Sequence, residues 1–304
     1  MSMNVLWIKD NNIGHEKQVQ VLLDELSNSL NLNIESRTVN GSIPFFRYID
    51  KVQENYYDLI IGAGHKTYPH IIKTKNTQKK SCKNIAILAP TFNKNKFDFI
   101  CAPSHDAQKL KNLTNVILYE GSLAKVSTND VDGEIGLIAI GGTNKHYHFD
   151  ENHIISQIKF FLSLHPNKHF YIFNSRRTPS SMNNKLELLV NESLDFCNIN
   201  INSLSFESVL HKASIKLITK DSMNMVYESL SCKGNTYLLD MKSKNLDDKV
   251  VLNIENLIKD KYVGYIELSN LVDEIPTMQI KTQNIYNDVF AEVEKVSFEL
   301  CKVL

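Results

Sequence analysis

Short apolar runs that suit buried strands alternate with helix-length stretches along this chain. The alternation breaks off once, at a polar stretch, and then starts again. In the first half the strand candidates are Asn4 to Ile8, Leu32 to Thr38, Asp58 to Ile61, Ile85 to Leu88, Phe97 to Cys101 and Val116 to Leu118, with a helix from about His15 to Leu30. In the second half they are Ile135 to Ile140, Phe170 to Phe173, Ile215 to Ile218 and Tyr237 to Leu239, with helices near Asn152 to Leu164 and Ser181 to Val190. Strands spaced by helices imply parallel sheets covered on their faces, because a parallel pair needs a crossover connection. Between the halves, Ser127 to Gly133 carries Asn129, Asp130 and Asp132 and reads as a linker. The expectation is two α/β domains, residues 1–128 and 129–282. A terminal helix over residues 283–304 follows, its apolar face given by Ile285, Val289, Val293, Val296, Leu300 and Val303.

The 304 residues suffice for two cores. Lys plus Arg and Asp plus Glu number 34 each, so no general attraction to nucleic acid is implied. The five cysteines are scattered and include no Cys-x-x-Cys pair, which predicts reduced thiols and neither a disulfide frame nor a zinc site. The start of the chain, with Val5-Leu6-Trp7-Ile8, is too short for a signal-peptide apolar core, and no run approaches membrane-spanning length. These readings predict a cytoplasmic protein and leave surface association with a membrane open.

The stretch Ile215 to Glu228 passes from a strand pattern into a helix pattern through the polar pair Asp221-Ser222. Such an elbow fits two readings, a helix simply capped by Asp221 or Ser222, and a cradle in which free helix amides meet a phosphate. Two further loops follow strand candidates of the same half. Gly141-Gly142-Thr143-Asn144 allows close backbone approach, and Asn174-Ser175-Arg176-Arg177-Thr178-Pro179 brings an arginine pair with neighbouring hydroxyls, suited to neutralising a phosphate. Three such loops on one sheet favour the cradle over the plain cap. Met223 would open the elbow helix, and Glu228 on it could accept hydroxyls of a ribose, although a solvated helix carboxylate is the plainer account.

In the first half, three loops could carry chemistry. Asp10-Asn11-Asn12-Ile13-Gly14-His15-Glu16 places an imidazole and a carboxylate at a helix start, where either His15 or Glu16 could act as a general base. Gly62-Ala63-Gly64-His65-Lys66-Thr67 joins two glycines to a basic pair, and Pro103-Ser104-His105-Asp106 sets a histidine beside a carboxylate. An ordinary polar turn explains each of them as well. No phosphate loop of the Gly-x-x-x-x-Gly-Lys-Ser type, His-Glu-x-x-His motif or Gly-x-Ser-x-Gly elbow occurs, and the expectation is chemistry without a metal.

Taken in order, Gly14-His15-Glu16-Lys17-Gln18, Ile60-Ile61-Gly62-Ala63-Gly64-His65-Lys66-Thr67, Phe97-Asp98-Phe99-Ile100 with Pro103-Ser104-His105-Asp106, Gly141-Gly142, Ser175-Arg176-Arg177-Thr178-Pro179 and Asp221-Ser222-Met223-Asn224-Met225-Val226-Tyr227-Glu228 span nearly the whole chain. With these pieces the sequence resembles the mitochondrial-fission "elongated mitochondria" family, whose bacterial members are regarded as glycosyltransferases of the GT-B type. It departs from the family pattern at Lys17, at His65-Lys66 and at Lys233-Gly234-Asn235. The resemblance implies two Rossmann-like domains with parallel sheets facing a cleft, and a C-terminal helix returning to the first domain. It also implies a nucleotide-sugar donor, UDP-type favoured, held by the second domain through Gly141, Gly142, Asn144, Ser175, Arg176, Arg177, Thr178, Asp221, Ser222, Met223 and Glu228. A glycan or lipid-linked acceptor would then meet the first domain at Gly14, Gly64, His65, Lys66, His105 and Asp106. The implied reaction is inverting transfer needing no cofactor beyond the donor, with His15 or Glu16 as base. Its implied setting is lipopolysaccharide or cell-envelope glycan assembly at the inner face of the cytoplasmic membrane. A transferase-like interaction protein at a membrane surface and a nucleotide-sugar epimerase are the alternatives.

Overall fold

The computed structural model describes residues 2–39, 56–199, 201, 204–270, 276–282 and 289–304. Its strands are β1 (Met3–Lys9), β2 (Leu32–Thr38), β3 (Leu59–Ala63), β4 (Lys83–Ile87), β5 (Phe99–Pro103), β6 (Val116–Tyr119), β7 (Asp132–Ala139), β8 (His169–Phe173), β9 (Leu194–Cys197), β10 (Ala213–Ile218), β11 (Asn235–Leu238), β12 (Gly264–Asn270) and β13 (Pro276–Lys281). The helices are α1 (Ile13–Ser27), α2 (Tyr68–Thr77), α3 (Glu151–Ser163), α4 (Ser180–Glu187), α5 (Phe206–Leu210), α6 (Met223–Leu230), α7 (Lys249–Lys259) and α8 (Glu292–Cys301). Two compact units result, one from Met1–Lys125 with Ala291–Leu304 and one from Val126–Phe290.

The first unit is an all-parallel sheet in the order β2-β1-β3-β4-β5-β6. Its central strands are buried on both faces, as Leu59, Ile60 and Ile61 of β3 show, which is what a continuous apolar run dictates. Asn12 caps α1 by accepting the Gly14 and His15 amides, so the helix begins ahead of the expected His15. α8 packs on α1 and β6 through Val293, Val296 and Leu300, all fully or almost fully buried.

The second unit orders its strands β13-β12-β11-β10-β7-β8-β9, all parallel except β13 against β12. α3, α4 and α7 supply one core, in which Ile158, Phe161, Leu186 and Val251 meet Ile138, Ile172 and Leu217 of the sheet. On another, Val226, Tyr227 and Leu230 of α6 join Ile254 and Leu257 of α7 over Ile218 and Leu238. The linker reading of Ser127 to Gly133 meets a different outcome at its end, where Asp132 and Gly133 already belong to β7.

The terminal helix is shorter than its apolar spacing predicts. Ile285 lies outside the described residues, and Val289 precedes the helix, which starts at Glu292. The cause is local. The Phe290 amide donates to the Leu230 carbonyl and the Phe290 carbonyl accepts from the Ser231 hydroxyl, so this backbone is committed to the second unit and cannot enter a helix. Among the described residues, no helix is long and apolar enough to cross a membrane.

Candidate functional site

In an open α/β sheet, ligands sit outside the carboxyl ends of the strands where the strand order reverses. In the first unit that reversal falls between β1 and β3, and in the second between β7 and β10. The first pair of strands opens into the Asp10 and Gly64 loops, and the second into the Gly141 and Asp221 loops.

At the end of β1, the side chain of Asp10 is almost wholly buried and accepts from two donors, the Asn12 amide at 3.0 Å and His15 Nδ1 at 2.9 Å. Burial pushes the Asp10 carboxyl up. The His15 hydrogen bond, the Asn12 amide and the positive charges of His15 and Lys66 outweigh it and hold the group below its ordinary value of 3.8. An ionised carboxylate on Nδ1 fixes the ring and its tautomer, leaving Nε2 to exchange a proton. Gly64, at φ +85°, completes the arrangement. A Cβ there would come within 2.5 Å of His15 Nδ1 and 3.0 Å of Asp10 Oδ2, so only glycine lets β3 end against this pair.

The remaining first-unit candidates have other contacts, although Lys66 acts on Asp10 through its charge. Glu16 sits 3.8 Å from Lys9 Nζ, which itself lies over the Trp7 ring. His65 and Lys66 are exposed, with His65 Nε2 within 3.5 Å of the Thr91 hydroxyl. His105 and Asp106 lie on a 3-10 turn over Ser104–Lys109, where Asp106 pairs with Lys109 at 2.6 Å. Asp10 is the residue sequence reasoning passed over. A polar residue after a strand gives no signal of the imidazole it will meet.

In the second unit, the three anion-friendly loops follow the adjacent strands β10, β7 and β8 and are laced together by Asp221. Its buried carboxylate accepts from the Gly142 amide at 2.9 Å and from the Arg177 guanidinium at 2.8 Å, and its carbonyl accepts from the Asn144 amide group at 2.9 Å. Burial raises the Asp221 carboxyl above its ordinary value, against the Gly142 amide, the Thr219 hydroxyl and Arg177, which pull it down. Thr178 donates to the Gly141 carbonyl, and the Thr178 hydroxyl accepts from the Ser175 amide at 2.8 Å. The glycines are obligatory. A Cβ on Gly141 would lie 2.2 Å from Asp221 Oδ1, and one on Gly142 would lie 2.0 Å from the Arg177 carbonyl oxygen.

This lacing divides the expected donor residues by what each has left to offer. Asn144 accepts from the amides of His146 and Tyr147 and donates to Asp221, so its side chain joins loops. Arg177 balances Asp221, whereas Arg176 beside it is exposed and, among the described residues, has no ion-pair or hydrogen-bond partner. At the elbow the structure corrects the capping expectation. Ser222 occupies the N-cap position of α6 with no side-chain cap, and Asp221 turns to Gly142 and Arg177 instead of to the helix. The first-turn amides from Met223 on therefore lack a side-chain cap. Glu228 is half-buried on α6, beside the packed Tyr227 and Val226. Among the described residues, no three His, Cys, Asp or Glu side chains converge as a metal site would require.

Two parallel-dominated sheets, each opening a loop cluster at its reversal point and closed by a helix returning to the first unit, define a GT-B-like α/β protein. Residues 9–296 match the model of the mitochondrial fission ELM1 family, and the chain belongs to that family, as its motifs led us to expect. No curated protein matches the sequence. Among solved structures, the UDP-GlcNAc 2-epimerase from Methanocaldococcus jannaschii is similar at a TM-score of 0.52 and 11% identity, over 99% of this chain and 100% of that one. The UDP-GlcNAc 2-epimerase from Neisseria meningitidis bound to UDP-GlcNAc is similar at 0.52 and 12%, over 99% and 92%. At such identities the likeness is one of fold.

Proposed function

We propose that the chain is an inverting glycosyltransferase that moves a sugar from a nucleotide-sugar donor to a hydroxyl of a glycan or lipid-linked acceptor. The observation that carries this reading is the loop cluster of the second unit, where an uncapped helix start follows β10 at the sheet's reversal point and Arg176, without a partner among the described residues, is on the loop after neighbouring β8. Free helix amides and a guanidinium on adjacent loops suit the charge that grows on a departing diphosphate. His15, oriented by Asp10, takes the acceptor proton at Nε2. The acceptor oxygen bonds to the anomeric carbon as that carbon's bond to the diphosphate breaks. Ser222 and Met223 would contact the phosphates, and Glu228 the ribose. His65, Lys66, His105 and Asp106 would line the acceptor side. Asp221, Arg177, Asn144, Ser175 and Thr178 hold the donor loops in shape. A uridine nucleotide is favoured because a protein of similar fold is solved with UDP-GlcNAc.

Thermal-shift titration with UDP, GDP and CDP tests the reading. Stabilisation by a nucleoside diphosphate is expected, weakened about tenfold or more in affinity by Arg176→Ala through loss of one charge-assisted contact. No shift with any of the three would sink it. The similar epimerases favour a second reading, nucleotide-sugar epimerisation, which needs no acceptor. Conversion of UDP-GlcNAc alone to its epimer would decide for that reading.

A further inference from the structure

We infer that the connections flanking β5 in the first unit form a docking surface for an anionic lipid bilayer. The inference rests on the lipid-linked acceptor reading and names where such a surface is met. Phe92 is 79% exposed, the most exposed large apolar side chain among the described residues of this unit. Phe298, at 64%, is covered by Lys302 Nζ at 4.1 Å from its ring, whereas among the described residues no cation stands over Phe92. The Phe92 loop is held in its outward path by two non-glycine residues in the left-handed region, Leu88 at φ +73° and Asn93 at φ +53°.

Charge and shape point to what covers it. Residues 92–111 hold four lysines and two aspartates, while the whole chain is neutral. Both aspartates are occupied, Asp98 by Lys75 and Asp106 by Lys109, leaving Lys94, Lys96 and Lys111 without an acidic partner among the described residues. Lys94 reaches the Lys109 carbonyl, which joins the Phe92 loop to the β5–β6 connection. Directly alongside is an open cavity of about 330 Å³ walled by Ala107, Leu110, Leu113, Val116 and Leu118, with Lys111 on its lining. An aromatic that enters the interface, lysines for acidic headgroups and an apolar notch for an acyl segment are the parts a bilayer surface calls for. The His65–Thr91 contact sets this loop next to the proposed acceptor loop, so an acceptor carried on lipid would arrive beside it.

Co-sedimentation of the full chain with vesicles tests this, comparing phosphatidylcholine alone with phosphatidylcholine containing phosphatidylglycerol. Binding is expected only to the anionic vesicles and to weaken as salt rises. Phe92→Ser should lower the affinity about tenfold, and Lys96→Gln and Lys111→Gln about fivefold each. All three side chains belong to the first unit and the donor loops to the second, so the nucleotide thermal shift should persist in every variant. Absence of binding, equal binding to both vesicle types, or variants that bind like the parent would overturn the docking surface. Loss of the nucleotide shift in the parent chain would count against the transferase reading alone.

Discussion

Asp10 and Asp221 stand at the carboxyl ends of central strands in their two units, both with buried side chains and opposite shifts. The difference lies in their partners. Asp10 has a half-exposed imidazole and an amide to stabilise its charge, whereas Asp221 is pushed up by burial that Arg177, itself largely solvated, does not offset. For Asp10 the native carboxyl lies below its unfolded value of 3.8, so its contribution is present above that pH and fades as pH falls through the native value. Asp10→Asn should therefore cost ~1.5–3 kcal/mol at neutral pH, the scale of a hydrogen bond to a charged group. In urea denaturation at stepped pH, the gap from the parent chain should close below pH 3.8; a gap constant with pH would remove the His15 pairing from the account. The sequence announced His15 and the Gly-x-Gly at Gly64 but not why they belong together. That depends on β1 and β3 lying side by side, a long-range pairing that residue spacing does not encode. Arg176 and Arg177 illustrate the same limit, since identical neighbours acquire different roles once one of them faces Asp221.

At the scale of an element, the β10–α6 elbow was legible because an apolar run gives way to helical spacing across a polar pair. Less legible was what anchors its far end. Lys216 sits in the middle of the apolar strand β10, fully buried, and donates to the carbonyls of Ser229 at 2.6 Å, Cys232 at 3.0 Å and Lys233 at 2.9 Å. Three donors meet three carbonyls at the negative end of α6, which fixes the helix whose other end faces the proposed phosphates. Burial lowers the Lys216 ammonium from 10.5 to about 8. Between those values the unfolded chain holds a proton the folded chain has lost, so stability from this group rises as pH climbs from about 8 to 10.5. Lys216→Met should strand the three carbonyls and cost of order 3 kcal/mol near neutrality, and its stability curve should lack that alkaline rise. Equal alkaline slopes in the two proteins would show that Lys216 keeps its proton. Other elements gave weaker signals. β9, with Leu194-Asp195-Phe196-Cys197, is only four residues long, and β12 is a half-exposed strand paired on one side with antiparallel β13, so neither presents the unbroken apolar run of a central strand.

For the whole molecule, the chain visits the first unit twice, at its start and again from Ala291 to Leu304. The periodic apolar residues of that tail were readable, but not the point where it crosses from one unit to the other, which hydrogen bonds from Phe290 to Leu230 and Ser231 determine. Crossing there makes the stability of the first unit depend on residues far away in sequence. Val296 is fully buried against a unit whose core otherwise comes from the first 125 residues. A charge at that position would have no partner within the packed face of α8, where Val293 and Leu300 are its buried neighbours. Val296→Asp should cost roughly 3 kcal/mol or more, the scale of an unpaired buried charge. Hydrogen exchange resolved by peptide locates the damage. Protection should fall in α1 and across β1 to β6, more than 165 residues before the substitution, while β7, β8 and β10 keep theirs because, among the described residues, their cores contain no side chain from Ala291 to Leu304. Protection lost evenly across both sheets would mean that the two units share one cooperative core, and protection lost only within α8 would mean that the returning helix is an ornament on a unit already stable without it.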